Sequence, residues 1–162
     1  MLLGAIESAR REVGRTRRYC IPSEALLTAL RAGAMRGGRV VLMVPARVDS
    51  MLVRYAGNAY FNDLLAAGVE VLCFGDGLLH TKSMVIDGEV TIFGTVNLDL
   101  RSFELNFEVS LIAYDMDFSA ATRELQARYA ARSTPIDQAQ WLARPWWRRT
   151  LENAVQMMSP LL

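Results

Sequence analysis

Leu79-His80-Thr81-Lys82-Ser83-Met84-Val85-Ile86-Asp87-Gly88-Glu89-Val90-Thr91-Ile92-Phe93 is the stretch on which the fold turns. Two strand-like runs, 79–86 and 89–93, flank Asp87-Gly88, and an Asp-Gly pair between such runs is a strong hairpin signal. A two-residue turn would set Ile86 opposite Glu89, Lys82 opposite Phe93 and His80 opposite Thr95. Opposed residues share a sheet face, and so do residues two apart. On that register His80, Lys82 and Asn97 point the same way. A further strand over 106–114 puts Asn106, Glu108 and Ser110 on one face and Phe107, Val109 and Leu111 on the other. A glutamate turned inward beside a histidine is costly unless paired. Glu108 orienting the imidazole offsets that cost.

Upstream of the hairpin, helix and strand alternate. Residues 2–13 read as a helix and 16–21 as a strand. Pro22 and Ser23 open a second helix running to about Met35, with Leu26, Leu27 and Leu30 on one face, and Gly37-Gly38 ends it. Residues 39–44 are nearly all apolar, as in a strand covered on both sides. A helix over 50–67 stops at Gly68, and 69–74 is the next buried strand. This βαβ rhythm predicts an α/β fold, a mixed sheet with helices on both faces. Downstream, residues from Asp117 on read as helical, with a break near Ser133-Thr134-Pro135. Residues 1–162 form a single domain in this reading, with 135–162 as a C-terminal helical extension.

Composition narrows the function classes. The chain has 162 residues, 52% apolar and 22% charged, enough for one domain with a real core and too apolar for disorder. Net charge is +1, so no strong commitment to nucleic acid is written into the total, and a nucleic-acid partner is disfavoured. Apolar runs break short of the roughly 18 to 20 residues that a membrane span needs. The first six residues are too short and too quickly followed by charge for a signal peptide. Cys20 and Cys73 stand alone in apolar surroundings and read as buried free thiols. No His, Cys or acidic set has metal-ligand spacing, so no metal or cofactor is expected.

The chemistry-bearing set is an imidazole, an ammonium, a carboxamide and a carboxylate. Lys82 is a point charge suited to phosphate oxygens, and the Asn97 amide donates two more hydrogen bonds. An imidazole held by a carboxylate is placed as a nucleophile or general base. His80 is the only histidine, so a two-histidine mechanism takes its second imidazole from elsewhere. Asp87, at odd spacing from His80 and in the turn, reads as a structural anchor near the site.

Here the residues carry a resemblance. His80-Thr-Lys82-Ser-Met-Val-Ile-Asp87 is an HxKxxxxD motif, as in the phospholipase D superfamily. Gly94-Thr95-Val96-Asn97 is similar to that family's following G-S/T-x-N, with Thr95 keeping the usual hydroxyl. Residues 98–108, Leu-Asp-Leu-Arg-Ser-Phe-Glu-Leu-Asn-Phe-Glu, resemble the LDxRSxxLNxE stretch of bacterial cardiolipin synthases, with Leu100 where proline is frequent. Residues 19–27, 37–45 and 67–71 extend the likeness to that family's C-terminal half.

The resemblance implies one half of a two-lobed enzyme and a metal-free, two-step displacement at phosphorus through a phosphohistidine. It implies catalytic roles for His80, Lys82 and Asp87, phosphate binding by Lys82 and Asn97, and support from Glu108, Thr95, Asp99, Arg101 and Ser102. Asp99 and Ser102 also suit helix capping. The implied substrate is phosphatidylglycerol, two molecules giving cardiolipin and glycerol, at the bacterial cell membrane. The partner is a second copy in a homodimer or a missing N-terminal half. A phosphodiesterase using the same site, a phospholipase or a dimeric nuclease, is the alternative, and a non-catalytic fragment of a longer synthase is a third.

Two segments stay open. Arg10, Arg11, Arg15, Arg17 and Arg18 form a basic run, read as a solvated face in preference to a lipid-phosphate site. Trp141-Leu-Ala-Arg-Pro-Trp146-Trp147-Arg148-Arg149, with Leu151, Val155, Met157 and Met158 after it, suits peripheral membrane contact and a domain contact equally.

Overall fold

Alternation along Arg39–Pro45 sets the architecture. Val40, Leu42 and Val44 belong to one apolar cluster and Met43 to another, with Val41 packed against the second. A strand that is apolar on both sides must be covered on both. The computed structural model describes residues 4, 6, 9, 11–16, 24–48, 50–77, 79–94 and 109–157. In chain order its elements are β1 (Glu12–Thr16), α1 (Glu24–Met35), β2 (Arg39–Pro45), α2 (Met51–Ala66), β3 (Glu70–Phe74), β4 (Ser83–Ile86), β5 (Val90–Gly94), β6 (Ser110–Ala113), α3 (Met116–Ala131), β7 (Ser133–Pro135), α4 (Gln138–Leu142) and α5 (Trp146–Met157).

The strands form one mixed, seven-stranded sheet, ordered β6-β5-β4-β1-β2-β3-β7. β1, β2 and β3 run parallel, as helical crossovers require. β4, β5 and β6 extend the sheet antiparallel from β1, and β7 closes the other side against β3. The sheet stays open, with α helices on both faces.

One face carries α1 and α2. Leu26 and Leu30, with Tyr60, Phe61 and Leu64, pack over Val13, Val40, Leu42, Val71, Met84 and Ile86. Residues of this kind gain about 1.5–3 kcal/mol each from burial, before the entropy of ordering. The other face carries α3, whose buried residues are mostly polar. Ser119, Thr122 and Gln126 recur at helical spacing along it. Ser119 Oγ lies 2.8 Å from Thr91 Oγ1. Gln126 Nε2 donates to Ser83 Oγ (3.1 Å) and to the Gly14 carbonyl (3.4 Å). A Cβ at Gly14 would lie 2.7 Å from Gln126 Oε1, so glycine there lets the helix approach.

Three expectations are corrected. The first strand is Glu12–Thr16, beginning at the end of the predicted helix over 2–13 and finishing where the strand expected over 16–21 was to start. Gly4 and Ile6 are helical, but from Glu12 onward the chain is sandwiched between β2 and β4. Ladder pairing on both sides outweighs local helical periodicity. Residues 17–21 lie outside the described residues. Arg15 is therefore not on a solvated face: as part of this central strand it is buried, 5% exposed, while Arg11 is exposed. Arg10, Arg17 and Arg18 lie outside the described residues. Third, the break at 133–135 is itself an edge strand, with Ser133 paired to Phe74 and Pro135 to Leu72. Proline suits an edge because it cannot donate inward.

The C-terminal segment packs on α2. The Trp141 indole N–H donates to Asn62 Oδ1 (3.0 Å), and its ring lies 5.6 Å from that of Phe61. The Arg144 guanidinium stacks 3.4 Å above Trp141 and forks onto Glu152 at 2.8 and 3.0 Å. Asn58 Nδ2 donates to the same carboxylate, which is 1% exposed. Removing one member of a buried pair strands the other charge. Glu152→Ala should therefore lower stability by about 3 kcal/mol, read as an earlier urea midpoint. Glu152→Gln should lose less.

Candidate active-site edge

One edge of the sheet collects the candidate segment. The C-terminal ends of β1, β2, β3 and β5 and the N-terminal ends of β4 and β6 all meet there, as the pairings Thr16–Ser83, Pro45–Phe74 and Gly94–Ser110 show. The chain leaves β3 at Phe74, turns, and re-enters the sheet at Ser83. His80 and Lys82 lie on that return.

Alternate residues of the return are pinned to the α3 side. Leu79 is fully buried with Met43 and Phe74, beside Tyr129. The Thr81 hydroxyl lies 3.1 Å from the Tyr129 hydroxyl. Ser83 Oγ takes the Gln126 amide described above and lies 3.5 Å from Thr16 Oγ1. The ladder continues to Lys82, whose carbonyl accepts from Gly94 N–H at 3.2 Å. With 79, 81 and 83 tied down, alternation turns His80 and Lys82 the other way. His80 is exposed and Lys82 half-buried. Two residues apart on a buttressed segment, they are the predicted pair that the structure brings together.

The hairpin forms, with a register one residue from the expectation. Ile86 pairs with Val90, Met84 with Ile92 and Ser83 with Phe93. Asp87 and Gly88 both adopt left-handed φ, +52° and +74°, and Glu89 N–H closes the turn on the Ile86 carbonyl at 3.0 Å. Glu89 is then an extra residue before pairing resumes, as in a bulged hairpin. A shift of one residue exchanges faces. Lys82 thus opposes Gly94 instead of Phe93, and hairpin parity no longer carries Asn97 onto the face of His80. Strand order beyond Gly94 is a separate matter: Thr95, Asn97, Asp99, Arg101, Ser102 and Glu108 lie outside the described residues.

Asp87 is separated from the pair. It sits at the far end of β4, seven residues from His80, a span of about 20 Å in extended chain. Its carboxylate Oδ1 accepts from Arg11 N–H (2.8 Å) and Glu12 N–H (2.9 Å), and its own N–H donates to the Glu12 carbonyl (2.9 Å). It fastens the turn to the start of β1, well away from the imidazole.

Sequence reading missed the buttress, Thr16, Gln126 and Tyr129. A signal existed: the Ser119, Thr122, Gln126 spacing marks a polar helix stripe that would be unusual on a core face without polar partners. Among the described residues no group of His, Cys, Asp and Glu is arranged to hold a metal ion.

An open mixed sheet between helical layers, with His80 and Lys82 on a braced strand return, defines a phospholipase D-type fold. Solved structures agree. The phospholipase D family member Nuc from Salmonella typhimurium superposes with a TM-score of 0.73 at 18% identity, over 83% of this chain and 88% of that one. Phosphatidylserine synthase from Haemophilus influenzae gives 0.74 at 14% identity, over 99% of this chain and 44% of that one. Residues 2–129 match the family described as cardiolipin synthase, PLD-like domain, and the chain belongs to that family. It is 45% identical over 161 residues to cardiolipin synthase A of Erwinia tasmaniensis and 47% identical to that of Escherichia fergusonii. It covers 99% of its own length in both matches and spans about a third of each relative, 33%.

Proposed function

We propose that this chain supplies one half-site of a cardiolipin-forming phosphatidyltransferase, which joins two phosphatidylglycerol molecules and releases glycerol. The observation that carries the reading is the braced presentation of His80 and Lys82 at the strand-end edge, in a chain that belongs to the cardiolipin synthase family. Lys82 holds the phosphate oxygens, and Asn97 adds neutral donors. Glu108 orients the imidazole, with Thr95, Asp99, Arg101 and Ser102 shaping the surrounding loop. His80 works as one of two imidazoles. In the first step a histidine nitrogen forms a bond to phosphorus as the bond to the glycerol alkoxide breaks, and the other imidazole gives that alkoxide its proton. In the second step the acceptor hydroxyl loses its proton to the same imidazole, attacks phosphorus and displaces the histidine. The opposing imidazole comes from a second copy or from an N-terminal half. Contact with the bacterial cell membrane is peripheral in this reading, and no described helix is long and apolar enough to cross a membrane.

Turnover of phosphatidylglycerol vesicles, followed as cardiolipin and glycerol formed, is the test. Lys82→Met removes the positive charge facing the phosphoryl oxygens, and groups of this kind contribute about 10²- to 10³-fold in rate. Its rate should fall by that factor, with a smaller loss for Asn97→Ala. A Lys82→Met chain as fast as the parent would show that this edge does not hold phosphate. Turnover should also survive a strong chelator. Full loss on chelation, restored by one particular metal, would point to a different mechanism.

A further inference from the structure

The strand-end edge has a second feature on the α2 side of the sheet. A cleft of about 380 Å³ opens beyond the ends of β2 and β3, two strands from β4 and so about 10 Å across the sheet from the His80 return. Val44, Val48, Phe61 and Trp141 give it apolar walls. Three guanidiniums, Arg54, Arg144 and Arg148, line it against a single described carboxylate, Glu152. Arg144 is committed to Glu152 through both of its terminal nitrogens. Among the described residues no carboxylate is ion-paired with Arg54 or Arg148. The cleft therefore joins two cations, neither ion-paired to a described carboxylate, to a greasy wall.

Next in sequence to Arg148 and Glu152, which line the cleft, α5 carries the exposed apolar residues Trp147 and Leu151. Arg148 lies 5.3 Å from the Trp147 ring centroid, and Trp147 and Leu151 follow one another at i, i+4 along α5. Trp146 is 77% exposed and Trp147 52%. Tryptophan beside arginine suits the boundary between headgroups and acyl chains, where one end of a ligand is charged and the other apolar.

We infer that this cleft is a second binding site, for a single anionic phospholipid, with the phosphate on Arg54 and Arg148 and the glycerol backbone and first methylenes against Phe61 and Trp141. The tails leave along Trp147 and Leu151. The inference rests on the phosphatidyl-transfer reading for the identity of the amphiphile. It places a lipid on the same sheet edge as the phosphoryl chemistry without using His80 or Lys82.

Binding is measured in the full chain with short-chain, monomeric phosphatidylglycerol, using tryptophan fluorescence. Protection of Cys73, which lines the cleft as a partly buried free thiol, is a second readout, by alkylation resolved at the peptide level. Burial raises the Cys73 thiol above its ordinary pKa, with Arg54 pulling the other way, so alkylation is run at mildly alkaline pH. Phosphatidylglycerol should bind and protect Cys73, and Arg54→Gln and Arg148→Gln should each weaken binding about tenfold, as for lost charge-assisted hydrogen bonds. Both side chains are exposed, so neither variant threatens folding. His80→Asn should bind like the parent, which separates failure of this site from failure of the catalytic reading. Equal affinity for phosphatidylcholine of the same chain length would overturn the inference. So would inorganic phosphate binding as tightly as the lipid, or affinity unchanged in the Arg54→Gln, Arg148→Gln double variant.

Discussion

His80→Asn should reduce phosphatidylglycerol turnover to the uncatalysed background while leaving the fold intact. The imidazole is exposed at the strand-end edge, and the contacts that brace the segment belong to its neighbours: Leu79 in the α3-side core, Thr81 on Tyr129, Ser83 on Gln126. Removing it costs no core packing, so the unfolding midpoint should stay where it is. Asparagine keeps a polar donor of similar reach and cannot take up and return a proton near neutral pH. Loss of turnover with an unchanged midpoint assigns His80 to chemistry. Turnover that persists in His80→Asn would place the reaction elsewhere on the chain.

Much of the architecture is legible in the residues, because the signals are local and strong. Leu26, Leu27 and Leu30 mark one helix face, Gly37-Gly38 ends that helix, and the apolar run from Val40 marks a strand covered on both sides. Asp87-Gly88 likewise marks the hairpin. The failures come where long-range pairing decides. Glu89 becomes an extra residue in the turn because Asp87 and Gly88 both adopt left-handed conformations while Asp87 is also fastened to Arg11 and Glu12. No local pattern announces a bulge, and one residue is enough to exchange every face assignment downstream. Glu12–Thr16 hides because Glu12 and Arg15 look like surface residues until β2 and β4 are known to flank them. Glu152 hides for a related reason: a glutamate in an amphipathic helix is ordinarily solvated, and its partner Arg144 precedes that helix. Within the candidate site, the shared side of His80 and Lys82 on the strand return is legible from their spacing alone. The polar brace behind them is not, since it joins residues more than 40 positions apart.

A single His80 half-site should be insufficient. In the proposed two-step displacement one imidazole attacks phosphorus from one side, and a second, on the other side, is the proton carrier first for the leaving oxygen and then for the attacking one. His80 is the only histidine in the chain and can stand on one side. In the proposed reaction the other imidazole faces it across the strand-end edge. A two-fold pair of chains would supply it, because isologous contacts set identical residues against each other. Turnover per chain should then fall toward zero on dilution, by as much as the loss expected for His80→Asn. The direct measurement is a titration of His80→Ala chains into the parent at fixed total concentration, with turnover followed as a function of composition and then of dilution. Turnover proportional to the square of the parent fraction, vanishing on dilution, is the result expected of a shared two-imidazole site. Turnover linear in the parent fraction and unchanged by dilution would show that one chain suffices and would contradict the account.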